Sequence, residues 1–538
     1  MMNHTAILML LGSLSVLDST ILILRSTYEK TRCQMKFLAL ISGGKDSIFA
    51  IHQLVKQGHE CVALANLAPV AEDEIDSFTF QTVGHNVIDS IAKAMNLPLF
   101  RRTISRGDSK SVGLQYETTE GDEIETLSML VADVLAAHTD IKGLSTGAVF
   151  SHYQRIRVEH VCRTHGLLSL APLWRIAQAT LLDMMEEAGM EAIIVKTASM
   201  GLDPRKHCGL SIVQARAHLN DLAQRYQVNE AGEGGEFESI TLYCPGLFHQ
   251  RLSVVNRRVV VTDDDDMAPV GHLAFDVALE DVQFEAIERR HAVLTGRPQL
   301  LVPPTDGDSS LATVTIHDVR GFNLFIGTGE DILTVARETL LAAHQATKDP
   351  MYNIMAVSDL GQFGPINGVY SATFTAMPPP GRCCVQMNSK DGRHTVAILP
   401  IPGASQRRLH VESVSSWAPA CIGPYSQAAD WETIEGNRVV GVSGQIPLEP
   451  STMAIDTELD GRQLCDKHVA AVLEEFPATE GEVELIPFVL AGNGEGIVVD
   501  ALPRGVSVEV VGLKGRPDVT EAMRMVFEEA MEVIRAEF

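Results

Sequence analysis

Several hallmarks of secreted, zinc-stabilised or nucleic-acid-binding proteins are missing from this chain. Its nine cysteines, at 33, 61, 162, 208, 244, 383, 384, 421 and 465, include no Cys-x-x-Cys pair and no Cys/His ligand spacing. That argues against a structural zinc or a disulfide framework and fits a reducing compartment. Basic residues are outnumbered 43 to 69, a net charge of −26, which opposes non-specific attraction to nucleic acid or anionic membrane. No apolar run is long enough for a membrane span: Ala6 to Leu24 is broken by Gly12, Ser13, Ser15, Asp18, Ser19 and Thr20. No Lys or Arg precedes that run, so it does not read as a signal peptide either. The expectation is a cytoplasmic protein whose true start is Met35, with residues 1–34 a dispensable or disordered extension. What is present, 45% hydrophobic residues over a length of 538, suits a soluble protein of three or four domains.

From Met35 to about Tyr243 apolar strands alternate with helices. Phe37–Ile41, Cys61–Leu67, Gly143–Thr146 and Ala192–Thr197 read as strands. Val87–Met95, Glu123–Ala137, Val158–His165 and Leu181–Ala188 read as helices. Alternation of this kind implies crossovers, hence an α/β fold with a doubly wound parallel sheet. This first domain is placed at 35–250, with a β-rich segment and linker at 251–310. The acid run Asp263–Asp266 within it reads as a solvated turn. Two α+β units follow, at 311–400 and 410–538. The first carries a strand at Leu324–Ile326 and a helix at Ile332–His344; the second repeats that order at Val439–Val442 and Gln463–Glu475. The layout is that of an internal duplication.

The sharpest motif is Ser42-Gly43-Gly44-Lys45-Asp46-Ser47. It ends an apolar strand and opens a helix with Ile48, Ile51, Leu54 and Val55 at helical spacing. Such a turn brings backbone N–H groups and a helix N-terminus onto a phosphate. The spacing differs from the Walker loop, and the motif instead resembles the pyrophosphatase loop of enzymes that split ATP into AMP and pyrophosphate. A second cluster, Gly232-Glu233-Gly234-Gly235-Glu236-Phe237-Glu238-Ser239, crowds three carboxylates that repel one another unless a cation offsets them. Magnesium on ATP phosphates, or a cationic substrate, would serve. Between them, Gly147 to Glu159 follows a strand and opens a helix, with Arg155 and Arg157 placed to clamp phosphate or to form surface ion pairs. His85, after Gly84, is an acid/base or a structural histidine.

Taken together, Leu40–Ser47, Ala63–Leu67, Gln81–His85, Gly121–Glu125, Gly147–Glu159, Pro172-Leu173-Trp174, Gly201-Leu202-Asp203 and Gly232–Ser239 resemble the diphthine–ammonia ligase family. His152 departs from it, standing where many members carry Asp. The resemblance implies ATP-dependent amidation of diphthine on elongation factor 2 by free ammonium, releasing AMP and pyrophosphate through an acyl-adenylate. It implies ATP and Mg2+ as cofactors, and neither nucleic acid nor membrane as a direct partner. On this reading Ser42, Gly43, Gly44, Lys45, Asp46, Ser47 and Gly147 bind ATP, and Asp46 orients the metal. Lys45, Asp46, Glu233 and Glu236 are catalytic, while His85, Tyr153, Arg155, Gly234, Gly235 and Glu238 face the substrate. An alternative is a tRNA-modifying ATP-pyrophosphatase, against which the acidic balance and the missing paired cysteines speak.

The two C-terminal units resemble the reactive-imine deaminase family. The first carries Asp359-Leu360, Phe363, Asn367, Val369-Tyr370 and Gly381–Gln386. The second carries Gly423–Ala428, Ser443–Pro447 and Leu502–Gly505. Arg382 falls on the family's carboxylate-binding arginine and Glu509 on its water-activating glutamate, with Tyr425 beside them. Gly494 stands where a second arginine is expected. Each unit thus holds part of a site, so the expectation is two domains paired within the chain as a scaffold with a degenerate deaminase site.

Overall fold

Lys36-Phe37-Leu38-Ala39-Leu40 buries every residue but its ends, as a strand covered on both faces must. In the computed structural model it is β1 (Lys36–Leu40), the centre of a parallel sheet. The structure describes residues 34–69, 84–104, 109–111, 113–288, 312–387, 389, 391–432, 438–455, 461–476, 484–489, 510–515 and 517–538. They form two compact units, Arg32–Leu294 with Glu412–Trp417 and, separately, Thr295–Val411 with Ala418–Phe538.

In the first unit β1 is joined by β2 (Glu60–Pro69), β3 (Leu99–Ile104), β4 (Gly143–Ser145) and β5 (Leu168–Leu170). All pair in parallel, in the order β3-β2-β1-β4-β5. The order reverses between β1 and β4, the point in such sheets where a crevice opens at the strand carboxyl ends. The helices are α1 (Lys45–Lys56), α2 (Ile88–Met95), α3 (Glu123–Ala137) and α4 (His152–His165). Asp122 caps α3 through Ile124 N, and Ser151 caps α4 through Gln154 N. That second cap starts α4 at His152, ahead of the expected Val158. Strands β3 and β5 are absent from the sequence reading: β5 is only three residues long, and β3 carries two arginines.

Ala192–Thr197 does not join the parallel sheet. As β6 (Glu191–Thr197) it sits in an antiparallel sheet, β7-β6-β9-β8, with β7 (Phe237–Tyr243), β8 (Gln250–Asp263) and β9 (Val270–Asp281). The β-rich stretch set apart after 251 is therefore paired with β6. The reason lies at the edge of β5. There Val414 takes the next position in parallel: Ala171 N–H donates to Val414 O and Val414 N–H to Ser169 O, both at 2.9 Å. Residues 412–417 thus form a strap that closes the sheet edge, which leaves no site for β6. Beneath the strap, Glu159 Oε1 accepts from Glu412 N, Ser413 N and Ser413 Oγ at 2.9, 2.8 and 2.7 Å. Asp263–Asp266 lie exposed at the end of β8, with Asp265 closing a turn onto Met267 and Ala268.

The other unit holds two five-stranded sheets. One runs Thr313–Val319, Phe322–Gly329, His394–Ile401, Tyr352–Val357, Gly381–Gln386; the other runs Ala404–Leu409, Ala428–Glu432, Arg438–Val442, Val510–Gly515, Glu484–Val489. From its second strand the latter follows the same order as the first four strands of the former. Ala404–Leu409 pairs with Ala428–Glu432 and so joins the second sheet. Tyr352, Trp431 and Phe527 meet in one core shared by both repeats, and Tyr352 Oη donates to Val442 O at 3.0 Å. Among the described residues, no helix is long and apolar enough to cross a membrane.

Candidate functional site

The chain leaves β1 through Ser42 and enters α1 at Lys45, so the glycine turn lies at the carboxyl end of the central strand. Gly43 has φ +80°, and a Cβ there would meet Ile88 Cδ1 at 2.8 Å; only glycine suits both demands. The turn is held by β7: Thr241 N–H donates to Gly43 O at 2.9 Å, and Lys45 N–H to Ser239 Oγ at 3.2 Å. Gly44 caps α1 without a side-chain hydrogen bond; with Lys45 N–H on Ser239 Oγ and Gly44 N–H on Ser42 Oγ, the remaining N–H groups of the first turn are left to an incoming acceptor. Ser42 and Ser47 face each other, Oγ to Oγ 3.4 Å, and Ser47 Oγ donates to Gly44 O at 3.0 Å. Gly147, on the loop after β4, packs on the same turn. A Cβ on it would stand 2.6 Å from Ser47 N and 2.8 Å from Asp46 C.

The acidic cluster folds over this turn. Lys45 Nζ, almost fully buried, donates to Ala231 O at 2.5 Å and pairs with Asp46 Oδ2 at 2.8 Å. Asp46 Oδ1 is buried and has no hydrogen-bond partner among the described residues. Half-buried Glu233 lies beside it. Burial first, and the Asp46 carboxylate second, push the Glu233 carboxyl up to about 8, against the lowering pull of Lys45 and of the Phe150 N–H. Glu236 turns inward instead. Its Oε1 accepts from Asn229 N and Asn229 Nδ2, and its Oε2 from Gly234 N, all within 2.9 Å. It shapes the loop rather than facing a ligand. Gly235, at φ +85° with open space around it, and Gly234 complete the turn. Glu238 pairs with Lys196 across β7 and β6 at 3.3 Å.

These features fit a nucleotide and its metal: a helix start whose glycine cap has no side chain, glycine backbone on two sides, and an orphaned carboxylate oxygen near a proton-holding carboxyl. No cluster of three or more His, Cys, Asp or Glu able to hold a metal occurs among the described residues. Magnesium on a nucleotide needs only one or two carboxylates, its other positions being filled by phosphate and water.

The remaining predicted residues scatter. Arg155 pairs with Glu159 at 2.6 Å, both buried, so its guanidinium serves the ground beneath the strap. Arg157 is fully buried, donates to Ser111 O and Gly113 O, and lies over the Tyr116 and Tyr153 rings. Tyr153 Oη donates to Ser111 O at 3.0 Å. His85 borders the turn through Ile240, which contacts both Gly43 and Gly84, and its carbonyl accepts from Arg101. Asn66, Gln178 and Asn229 were missed as site residues. Asn66 holds Ile41 O at 2.9 Å; Gln178 receives Ala231 N–H and donates to Asn229 Oδ1. Amide side chains of this kind give no periodic signal; only the motif context of Asn66 pointed to it.

In the other unit, Arg382 Nη2 donates to Asn367 Oδ1 at 2.8 Å, and its guanidinium lies over Tyr370 and Tyr425 at 4.6 Å each. Its Nε and Nη1 have no partner among the described residues. Glu509, Gly494 and Leu502–Gly505 lie outside the described residues.

A parallel strand feeding a glycine turn, with carboxylates folded over the helix start, defines an α/β enzyme of the ATP-pyrophosphatase class. Comparison narrows this. Residues 35–169 match the diphthamide synthase N-terminal domain and residues 178–268 its C-terminal domain. A diphthine–ammonia ligase of Schizosaccharomyces pombe is 35% identical over 457 residues, covering 78% of this chain and 74% of the relative. One of Saccharomyces cerevisiae is 33% identical over 509 residues, 81% of this chain and 72% of the relative. One of Danio rerio is 47% identical over 244 residues, 45% of this chain but 94% of the relative. The chain belongs to the diphthine–ammonia ligase family.

Proposed function

We propose that this protein joins ammonia to the carboxylate of diphthine on elongation factor 2, driven by cleavage of ATP to AMP and pyrophosphate. The observation that carries the reading is the buried, unpartnered Asp46 Oδ1 in the first turn of α1, with the raised Glu233 carboxyl close by. The matches to the diphthamide synthase N- and C-terminal domains at residues 35–169 and 178–268, both within the first unit, support placing the chemistry there.

Carboxylate oxygen is a poor leaving group, so ammonia cannot displace it unaided. Transfer of AMP to that oxygen makes an acyl-adenylate, from which AMP departs as ammonia attacks. The first step needs the β- and γ-phosphates held as one departing unit. Ser42, Gly43, Gly44, Ser47 and the N-terminus of α1 do this by position and by oriented N–H groups. Gly147 lets the neighbouring loop close on the same turn. Lys45 ties that turn to the acidic loop through Ala231, and Glu236 keeps the loop folded. Magnesium, held by Asp46 and Glu233, would neutralise phosphate charge at this point. Free ammonium is the proposed nitrogen donor.

The test is release of AMP and pyrophosphate by the full chain with ATP and ammonium, with and without diphthine-bearing elongation factor 2. Release that depends on the factor, together with the acid-to-amide mass change on it, supports the assignment. Release that depends instead on bulk tRNA refutes it.

A further inference from the structure

Cationic and aromatic side chains from the segments after β4 and β5 gather in a way the glycine turn does not explain. Trp174 is fully buried. Arg175, next in the chain, has φ 62°, a left-handed backbone that an arginine rarely adopts. A hydrogen bond from Arg175 N–H to Val149 O, 2.9 Å, holds it there. The result is a guanidinium laid over two rings, 5.4 Å from the Phe150 centroid and 5.2 Å from that of Trp174. Arg175 Nη2 meets His152 Nε2 at 3.1 Å, and the His152 ring sits edge-on to Trp174. Phe150, half-buried, offers its backbone N–H to Glu233, and Glu233 in turn adjoins Asp46.

We infer that Phe150 and Trp174 form the seat for a quaternary ammonium group of the substrate, and that Arg175 fills this seat until the substrate arrives. The inference rests on the amidation reading above. A trimethylammonium has no N–H and cannot be recognised by hydrogen bonds; aromatic faces are what attract it. Here the two rings already hold a cation, the protein's own. Position agrees as well. In diphthine the trimethylammonium and the carboxylate share one carbon, so the seat must adjoin the atoms that activate the carboxylate. Gly147, three residues before Phe150 on the same loop, packs against Ser47 and Asp46 and supplies that adjacency. Arg155 also lies over Trp174, at 5.3 Å, but Glu159 answers its charge, so it does not repel a second cation. Entry of the substrate displaces Arg175, since two like charges cannot share the rings, and frees its backbone from the left-handed region. A less methylated amine keeps N–H groups that these rings leave unpaired, so the seat also selects for complete methylation.

Glycine betaine carries a trimethylammonium and a carboxylate on one carbon, and 3,3-dimethylbutyrate is its uncharged isostere in that group. Binding of each to the full chain is read by tryptophan fluorescence, with Trp174→Phe identifying the responding residue. Betaine should bind at least about tenfold more tightly than the isostere, and Phe150→Leu should abolish that preference while Phe150→Tyr keeps it. In turnover, Phe150→Leu should raise KM for diphthine-bearing elongation factor 2 about tenfold and leave KM for ATP within about twofold. Equal binding of the two probes, or no response from Trp174, overturns the seat whether or not the enzyme turns over. Failure of the wild type to amidate the factor, with betaine still preferred, counts against the proposed reaction and not against the seat.

Discussion

Lys45 Nζ and the Ala231 carbonyl are 2.5 Å apart, and the same nitrogen pairs with Asp46 Oδ2 at 2.8 Å. One buried ammonium therefore joins the phosphate turn to the acidic loop. Lys45→Met keeps the length of the side chain but leaves a buried carbonyl and carboxylate unanswered. Removing one partner of such a pair costs about 3–5 kcal/mol. The expected outcome is a loss of at least about a hundredfold in kcat/KM for ATP. Faster hydrogen exchange across residues 229–236 should accompany it, and unchanged exchange there would show that Lys45 does not hold the loop.

Glu233 carries the pH dependence. Its carboxyl, raised to about 8, holds a proton in the free protein at neutral pH that a cation must displace. kcat/KM for magnesium–ATP should therefore climb with pH and level off near 8, and Glu233→Gln should flatten that limb at a lower plateau. For stability the sign is opposite. The folded state keeps a proton that the unfolded chain gives up near 4.5, so the carboxyl weakens the fold progressively as pH rises from there to about 8. Thermal melts at pH 4.5, 6 and 9 should show the gain of Glu233→Gln over the wild type growing with pH, smallest at 4.5 and largest at 9.

Gly147→Ala places a methyl group against Ser47 N and Asp46 C, backbone atoms that cannot rotate away. The strain of such overpacking is about 1–3 kcal/mol. The fold should tolerate it while ATP–pyrophosphate exchange falls on the order of a hundredfold, because the phosphate turn itself must shift. A variant with normal exchange would remove Gly147 from the nucleotide site.

Ser413 and Glu159 supply a test of the strap. Ser413→Ala removes one of three hydrogen bonds to Glu159 Oε1 and should lower stability by about 1 kcal/mol. Glu159→Ala also strands Arg155 and should cost about 3–5 kcal/mol. In a double-mutant cycle by chemical denaturation the two should be coupled; strict additivity would mean the strap is not seated on Glu159.

Legibility in the sequence followed the length and regularity of the signal. Glu123–Ala137 was readable to the residue, since Asp122 announces its start and apolar residues recur at helical spacing. The glycine turn after β1 was readable because glycine and serine there answer local demands. Fifteen-residue elements and tight turns carry their own instructions; three-residue strands such as Leu168–Leu170 do not. Glu236 and Glu238 show the further limit. Both sit in one acidic motif, yet one is consumed by Asn229 and Gly234 and the other by Lys196, partners decided by tertiary packing. Val414 was unreadable as an edge strand because its neighbour, Leu170, is far away in the chain.

The strap also sets an order of events during synthesis. Residues up to 294 leave the ribosome well before Glu412, and at typical elongation rates the interval is on the order of ten seconds. Throughout it, the edge of β5 stands open and Glu159 lacks its three donors. Until its own downstream segment arrives, the nascent first unit therefore carries an open strand edge, the kind of template that pairs with another chain.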